Sequence, residues 1–412
     1  MLLRIAAVVF IFICTAIAWA ILGTTIFSRT YHAEPDLKQR VESSWGTRQN
    51  QGPPEAAYAV PKVTTTLNPE PSVQNNQPAV KPVPLALESS KIDVSLALEH
   101  RQKGLLWYST YKVGFSGVYV FRSDPAVTKP VVFTWHFPAD EAIYDGLAVT
   151  LNGQPLQFRT EGHGITAATV VTPGSAATLG ISYRSQGLDE WRYNFGADVS
   201  EVRDFSLHMT TNFSDIDFPE NALSATDKRA GAGGWDLTWR YRNLVSGYNI
   251  AMAMPAKLQP GPLAGEISYF APVSLFFFFF VIFIITTLRG IELHPMNYFF
   301  LAAAFFSFHL LLAYLVDHVS IHLAFMICSA VSIALVVSYL RLVLGLKFAV
   351  REAAIAQFLY LVLFSYAFFF KGYTGLAVTI GAILTLFVAM QATGRLNWSE
   401  QFRKVAPSGA VS

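Results

Sequence analysis

The chain has 412 residues, room for two or three domains, with 52% apolar residues, 14% charged residues and a formal net charge of +2. Charge that sparse falls well below the roughly 25% usual for soluble proteins, and with no basic block beyond a few loops it argues against nucleic acid as a partner. The two cysteines, Cys14 and Cys328, both lie inside apolar runs, so no disulfide framework, CxxC pair or zinc spacing is available.

Taken in order, the chain opens with Arg4 and then an uncharged run from Ile5 to Phe27. Ala18-Trp19-Ala20 resembles a signal-peptide cleavage site, but the run stays apolar for seven residues past it. Its length favours a membrane anchor over a cleaved leader, and residues 1–28 are read as that anchor. Residues 29–90 are read as a Pro-rich disordered linker, with nine prolines from Pro35 to Pro84 among Gln, Asn, Ser and Thr. Such a composition offers too little apolar surface to offset the entropy of ordering.

Residues 91–256 change character. Short runs rich in β-branched and aromatic residues recur every 8 to 12 residues, among them Val131–Phe137, Gly146–Leu151, Ile165–Val171, Thr178–Arg184 and Gly234–Tyr241. Asn152-Gly153 suits a two-residue hairpin and Pro173-Gly174 a type II turn. The pattern predicts an all-β sandwich-like domain outside the membrane, with Asp215–Gly233 as a long loop. Residues 257–268 are read as a short juxtamembrane tether, kept out of a helix by Pro260 and Pro262.

Residues 269–393 hold five apolar runs: Tyr269–Leu288, Asn297–Val316, His322–Leu340, Ala353–Phe370 and Tyr373–Ala392. Each has the length needed to cross a bilayer core of about 30 Å as a helix. None alternates as a membrane barrel strand would. Arg289 falls in one connection, Arg341, Lys347 and Arg351 in a later one, and Arg395, Arg403 and Lys404 in the 394–412 tail. Basic residues thus collect in alternate loops, which makes those loops cytoplasmic. The expected topology has six spans, both termini cytoplasmic and residues 29–268 periplasmic. The fold class is accordingly a membrane protein with an N-terminal transmembrane helix, a periplasmic all-β sandwich-like domain and a C-terminal five-helix transmembrane bundle.

A family resemblance enters at three places. Gly290-Ile291-Glu292-Leu293-His294-Pro295-Met296-Asn297-Tyr298, followed by a helix ending Leu315-Val316-Asp317-His318, resembles the CreD family of bacterial inner-membrane proteins. Asn297 stands where that family usually has Gln, and Val316-Asp317 replaces its Ser-Glu. Gln102-Lys103-Gly104-Leu105-Leu106-Trp107-Tyr108 is similar to the family's opening of the β-domain, with Lys103 for an Arg, and Asn397-Trp398 sits where the family has a polar residue and Trp. The resemblance covers roughly residues 101–398. It implies an inner-membrane location and a role in envelope integrity or stress response, and brings no catalytic residue or ligand with it.

Candidate functional residues are few. His309 lies about 18 Å into its span by helical rise, a depth at which an ionisable side chain is a functional candidate by default. The competing reading is an imidazole packed between helices and bonded to Tyr360, Gln357 or a serine. Asp317, His318 and His322 form a D-H-x-x-x-H pattern whose histidines would share a face on a continuous helix and hold metal, but the pattern straddles a turn. His294 with Pro295 reads as a turn entering a helix. Ala330, Ala334 and Ser338, and Ala377, Gly381, Thr385 and Ala389, form small-residue ridges suited to close helix packing in lipid. The aromatic residues Trp107, Tyr108, Trp135, Trp191, Tyr193, Trp235, Trp239 and Tyr241 fill a sandwich core more readily than they stack on a sugar.

The residues carry no G-x-S-x-G, no H-E-x-x-H and no paired carboxylates at membrane depth. The leading expectation is a non-enzymatic protein whose partners are the lipid bilayer and an envelope component or periplasmic protein met by the β-domain. A transporter or channel component, or a membrane enzyme acting on a lipid-linked or glycan substrate, are the alternatives. No cofactor or metal is expected.

Overall fold

The computed structural model describes residues 2–59, 82–104, 106–196, 200–231, 233–370 and 372–394. Residues 60–81 of the Pro-rich stretch, Lys371, Asn397-Trp398 and the basic tail therefore lie outside the described residues. The chain divides into two compact units: a helical unit from residues 1–36, 104–106 and 258–412, and a β unit from 37–103 and 107–257.

The β unit holds three sheets. The largest has eight strands: β13 (Asp227–Gly231), β14 (Gly234–Ser246), β12 (Ser200–Thr211), β3 (Ala86–Lys103), β4 (Leu106–Arg122), β10 (Ala176–Leu188), β6 (Asp145–Leu151) and β7 (Gln154–Pro155), in that spatial order. A four-stranded sheet runs β2 (Glu55–Tyr58), β5 (Val131–His136), β9 (Gly164–Thr169) and β8 (Arg159–Glu161). A three-stranded sheet runs β1 (Gln49–Gln51), β11 (Glu190–Tyr193) and β15 (Ile250–Ala253). Alternation of side chains across each strand supplies one shared core: Ile92, Val94 and Leu96 from β3, Tyr111, Val113, Phe115, Tyr119 and Phe121 from β4, Phe133 and Trp135 from β5, and Trp239 from β14 all sit in it. The hairpin joining β6 to β7 turns on Asn152 at φ 51° and Gly153 at φ 81°, the left-handed pair that a two-residue turn of matching twist requires.

Several boundaries differ from expectation, each for a local reason. Residues 29–58 are not linker. Helix α1 runs Leu2–Trp45 with Pro35 inside it, because Leu37, Val41 and Trp45 recur at i+4 on one face and good helix formers lie between them. Strands β1 and β2 then enter two different sheets, so the β unit cannot be cut at residue 91 without losing them. Strand β3 starts at Ala86 and replaces a stretch where no strand is expected; its Leu, Ala, Glu and Lys content hides the alternation Ile92, Val94, Leu96. The expected loop Asp215–Gly233 contains β13, paired with β14.

The helical unit holds α1's first part, α2 (Pro260–Tyr269), α3 (Ala271–Leu288), α4 (Pro295–Leu315), α5 (Ile321–Leu344), α6 (Leu346–Phe369) and α7 (Thr374–Thr393). The expected tether is thus a helix, α2. Its prolines occupy the first turn, where no intrahelical N–H bond is owed, and Leu263, Ala264 and Ile267 are buried. Six helices in the described residues are long and apolar enough to cross a membrane. The anchor is not separate from the bundle: Trp19 is fully buried against Phe305, Phe306 and His309, and Arg29 meets Asp317 at 3.0 Å. Helix α6 is irregular, with wider π-type turns at Ala349–Ala353 and Phe358–Leu363.

Candidate functional site

In the helical unit the expected candidates separate. His309 is fully buried on α4, with its ring edge-on to Trp19 at 5.5 Å and to Phe308 at 4.9 Å. Nδ1 lies 3.2 Å from the Phe305 carbonyl, and because a carbonyl only accepts, Nδ1 is the donor. Nε2 has no hydrogen-bond partner. The expected partners are engaged elsewhere: Gln357 Nε2 donates to Ser332 Oγ at 2.7 Å, Ser332 Oγ donates to the Ala304 carbonyl at 2.6 Å, and the Tyr360 hydroxyl pairs with Thr385 at 2.8 Å. These bonds tie α4 to α5, α5 to α6 and α6 to α7 through buried polar groups, which in lipid have no water to turn to. Gln357 sits between the two π-type turns of α6.

Asp317, His318 and His322 do not form a metal site. Residues 316–320 are a turn, and α5 begins only at Ile321, so the helical spacing is broken. Asp317 pairs with Arg29, whose guanidinium also lies 5.6 Å from the Tyr314 ring centre, while the His322 ring packs against Phe369 at 5.1 Å. Among the described residues no group of three His, Cys, Asp or Glu side chains is arranged to hold a metal ion. His294 is the N-cap of α4: its Nδ1 accepts from the Met296 N–H at 3.2 Å, followed by Pro295 at the first helical position. The ridges divide. Thr385 and Ala389 are buried, but Ala377 and Gly381 are exposed, and Ala330, Ala334 and Ser338 face away from the unit's own core.

The β unit offers a groove that the sequence did not point to. It has a volume of about 410 Å³ and lies across β12, β3, β4 and β10. Small and hydroxylated side chains make its floor: Ser95, Gly114, Ser116, Ser182 and Thr210. Register brings them together, since Thr210 pairs with Ser95 and Ser182 with Ser116. A Cβ at Gly114 would stand 2.7 Å from Ser95 Oγ, so a larger residue there would have to turn the Ser95 hydroxyl aside. His208 lines the groove with its two ring nitrogens facing carboxylates, Nδ1 to Asp93 at 3.3 Å and Nε2 to Asp236 at 2.9 Å. Arg184, also lining it, bonds Asp145 at 2.7 Å. Both ring nitrogens of His208 thus face carboxylates, and the groove presents hydroxyls, carboxylates and a guanidinium, groups that hydrogen-bond a polar guest. The alternation of polar residues along β3 and β12 was the available signal, but which strands lie side by side was not legible.

The aromatic set lies mainly inside. Trp135, Trp191, Tyr193 and Trp239 are in the core, Tyr108 is buried, and Trp235 donates Nε1 to the Ser214 carbonyl at 2.8 Å. Burial pushes the Tyr111, Tyr119, Tyr183 and Tyr193 phenols well above the usual tyrosine range, and Tyr144 up to about 12. Tyr183 donates to Gln51 Oε1 at 2.7 Å and Tyr111 to the Glu190 carbonyl at 2.8 Å. On the exterior, the hydrogen bond from Arg122 holds Glu88 below its usual carboxylate range.

Comparison with known proteins places the likeness in the helical unit. Residues 267–399, 133 of 412, match the family described as inner membrane protein CreD. No curated protein matches the chain. Among solved structures, a protein from Legionella pneumophila described as nutrient-binding is 10% identical, covering 47% of this chain and 71% of its own, at a TM-score of 0.31. An M1 zinc metallopeptidase from Deinococcus radiodurans is 10% identical, covering 41% of this chain and 42% of its own, at a TM-score of 0.24. Likenesses that low carry no argument about fold or activity.

Proposed function

We propose that this chain, whose residues 267–399 match the inner-membrane CreD family, is a non-enzymatic multi-pass inner-membrane protein that contributes to envelope integrity or stress response. In this reading the six apolar helices hold the protein in the bilayer with both termini cytoplasmic. The β unit works on the periplasmic side, where it contacts an envelope component. The observation that carries the reading is the groove across β12, β3, β4 and β10: a hydroxyl-lined, glycine-floored surface with His208, Asp93 and Arg184 beside it. Such a surface supplies hydrogen bonds to a polar polymer. Among the described residues the carboxylate most covered in the helical unit is Glu352, which pairs with Arg289 next to the α3–α4 connection rather than lining a path through the helices.

The test uses the full chain in nanodiscs, presented with peptidoglycan, polysaccharide and periplasmic protein extract. Retention on one of these, reduced when Ser116→Trp fills the groove, supports the reading. Turnover of a lipid-linked or glycan substrate, or solute flux in vesicles, would replace it with an enzyme or a transporter.

A further inference from the structure

The chain passes between the two units at residues 36/37, 103–107 and 257/258. Beside these crossings, segments of the β unit that are remote in sequence bind one another. His100 Nε2 lies 2.9 Å from the Pro255 carbonyl, and Ser109 Oγ donates to the same oxygen at 2.7 Å. The Arg101 guanidinium lies 3.4 Å from the Trp45 ring centre, with the Lys112 ammonium 6.0 Å from the same ring. The Lys257 ammonium lies 4.1 Å from the ring centre of Trp107. Residue 45, residues 99–103, residues 107–112 and residues 255–257 are therefore linked on the β unit.

The patch has a surplus of positive charge. Arg101, Lys103, Lys112 and Lys257 stand against Glu99, which sits 2.6 Å from Lys112 and 3.7 Å from Arg101. Lys103 and Lys257 are exposed, and among the described residues no carboxylate pairs with either. Indole rings beneath cations suit a membrane surface, since the amphipathic ring settles at headgroup depth and the long basic side chain reaches the phosphates. The apolar helices follow directly in sequence: Lys257 precedes α2 by three residues, and α2 leads through Phe270 into α3.

We propose that this basic, indole-bearing patch of the β unit is a docking surface for anionic phospholipid headgroups. The inference rests on the membrane reading of the helical unit, to which Lys103 and Lys257 are joined directly in sequence. Its chemistry selects a net negative phosphodiester over a zwitterionic headgroup, because unpaired cations gain from a negative surface potential and little from a neutral one.

Lysine footprinting of the unmodified full chain tests it. The chain is placed in nanodiscs of pure phosphatidylcholine and of an equimolar mixture with phosphatidylglycerol, and the acetylation rate of each lysine is read by mass spectrometry. Lys103 and Lys257 should react several-fold more slowly in the anionic discs, and high salt should remove the difference. Lys91 and Lys129, exposed elsewhere on the β unit, should react alike in both. Equal rates at Lys103 and Lys257 in a chain that has entered both discs overturn this inference alone. Slowing shared by Lys91 and Lys129 overturns it too, as a property of the charged disc. A chain that enters neither disc overturns the membrane reading and this inference with it.

Discussion

Along β4, Tyr111, Val113, Phe115, Tyr119 and Phe121 are buried while Lys112, Ser116 and Val118 between them are exposed. Along α3, Phe276 is half exposed while Phe278 and Phe279 are buried, and every one of them is phenylalanine. The β unit separates apolar from polar at a period of two, because one face of each sheet meets water. The helical unit makes no such separation, because an apolar solvent accepts Phe276, Ile383, Leu384 and Phe387 on its outside. Both units bury polar groups with and without partners. The β unit binds the Tyr183 and Tyr111 phenols to Gln51 and to a backbone carbonyl but leaves Gln49 Oε1, Trp135 Nε1 and Trp191 Nε1 without partners. The helical unit binds Gln357 Nε2 to Ser332 but leaves His309 Nε2 and Gln357 Oε1 without partners.

Alkali should break the comparison most widely. Tyr111, Tyr119, Tyr183 and Tyr193 have folded-state pKa values raised by burial. Their contribution is therefore fully present below the unfolded value of about 10 and is lost as pH rises from there toward the folded values. Each such tyrosine should remove about 1.4 kcal/mol per pH unit above about 10. Near-UV circular dichroism of the full chain in detergent should lose the β unit's aromatic signal in that range while far-UV helical signal persists. Loss of both together would contradict the separation.

Gln51→Leu should come next. It strands the Tyr183 hydroxyl inside the sandwich, at a cost of about 1–3 kcal/mol, readable as a lower thermal midpoint of the β unit. An unchanged midpoint would mean that β1 does not hold the sheets together as its bonds indicate. In the helical unit, the half-exposed Arg29–Asp317 pair should show a coupling of no more than about 1 kcal/mol in a double-mutant cycle of Arg29→Gln and Asp317→Asn. The smallest effect is expected from His309→Leu, which removes an imidazole whose Nε2 has no partner. Protein levels and thermal midpoint should stay near those of the parent, and a sharp fall would show that the imidazole holds the bundle together.

How much of this was legible follows from the same contrast. Continuous apolar runs announce themselves, and the five C-terminal runs overlap α3 to α7. Strands with strong β-branched and aromatic content, such as β5, β9 and β10, were equally plain. What stayed hidden depended on partners far away in sequence. Gln49 and Gln51 look like linker until Ser185 and Tyr183 are seen opposite them. Pro35 and Pro260 look like breaks until Val41 and Leu263 are seen buried beside them. The groove is the extreme case, since Asp93, His208 and Asp236 meet only through the parallel pairing of β3 with β12 and the antiparallel pairing of β12 with β14. His309 was found by depth alone, but its Trp19 neighbour comes from a helix nearly 300 positions away in the chain.

The central claim is an inner-membrane chain with its β unit outside the cytoplasm. Single cysteines placed at Glu161, Val319, Glu292 and Gly345, with Cys14 and Cys328 replaced by serine, test it through labelling of intact cells with a membrane-impermeant maleimide. Labelling at Glu161→Cys and Val319→Cys, with Glu292→Cys and Gly345→Cys reactive only after the membrane is opened, is the expected result. Protection of Glu161→Cys together with labelling of Gly345→Cys would contradict it.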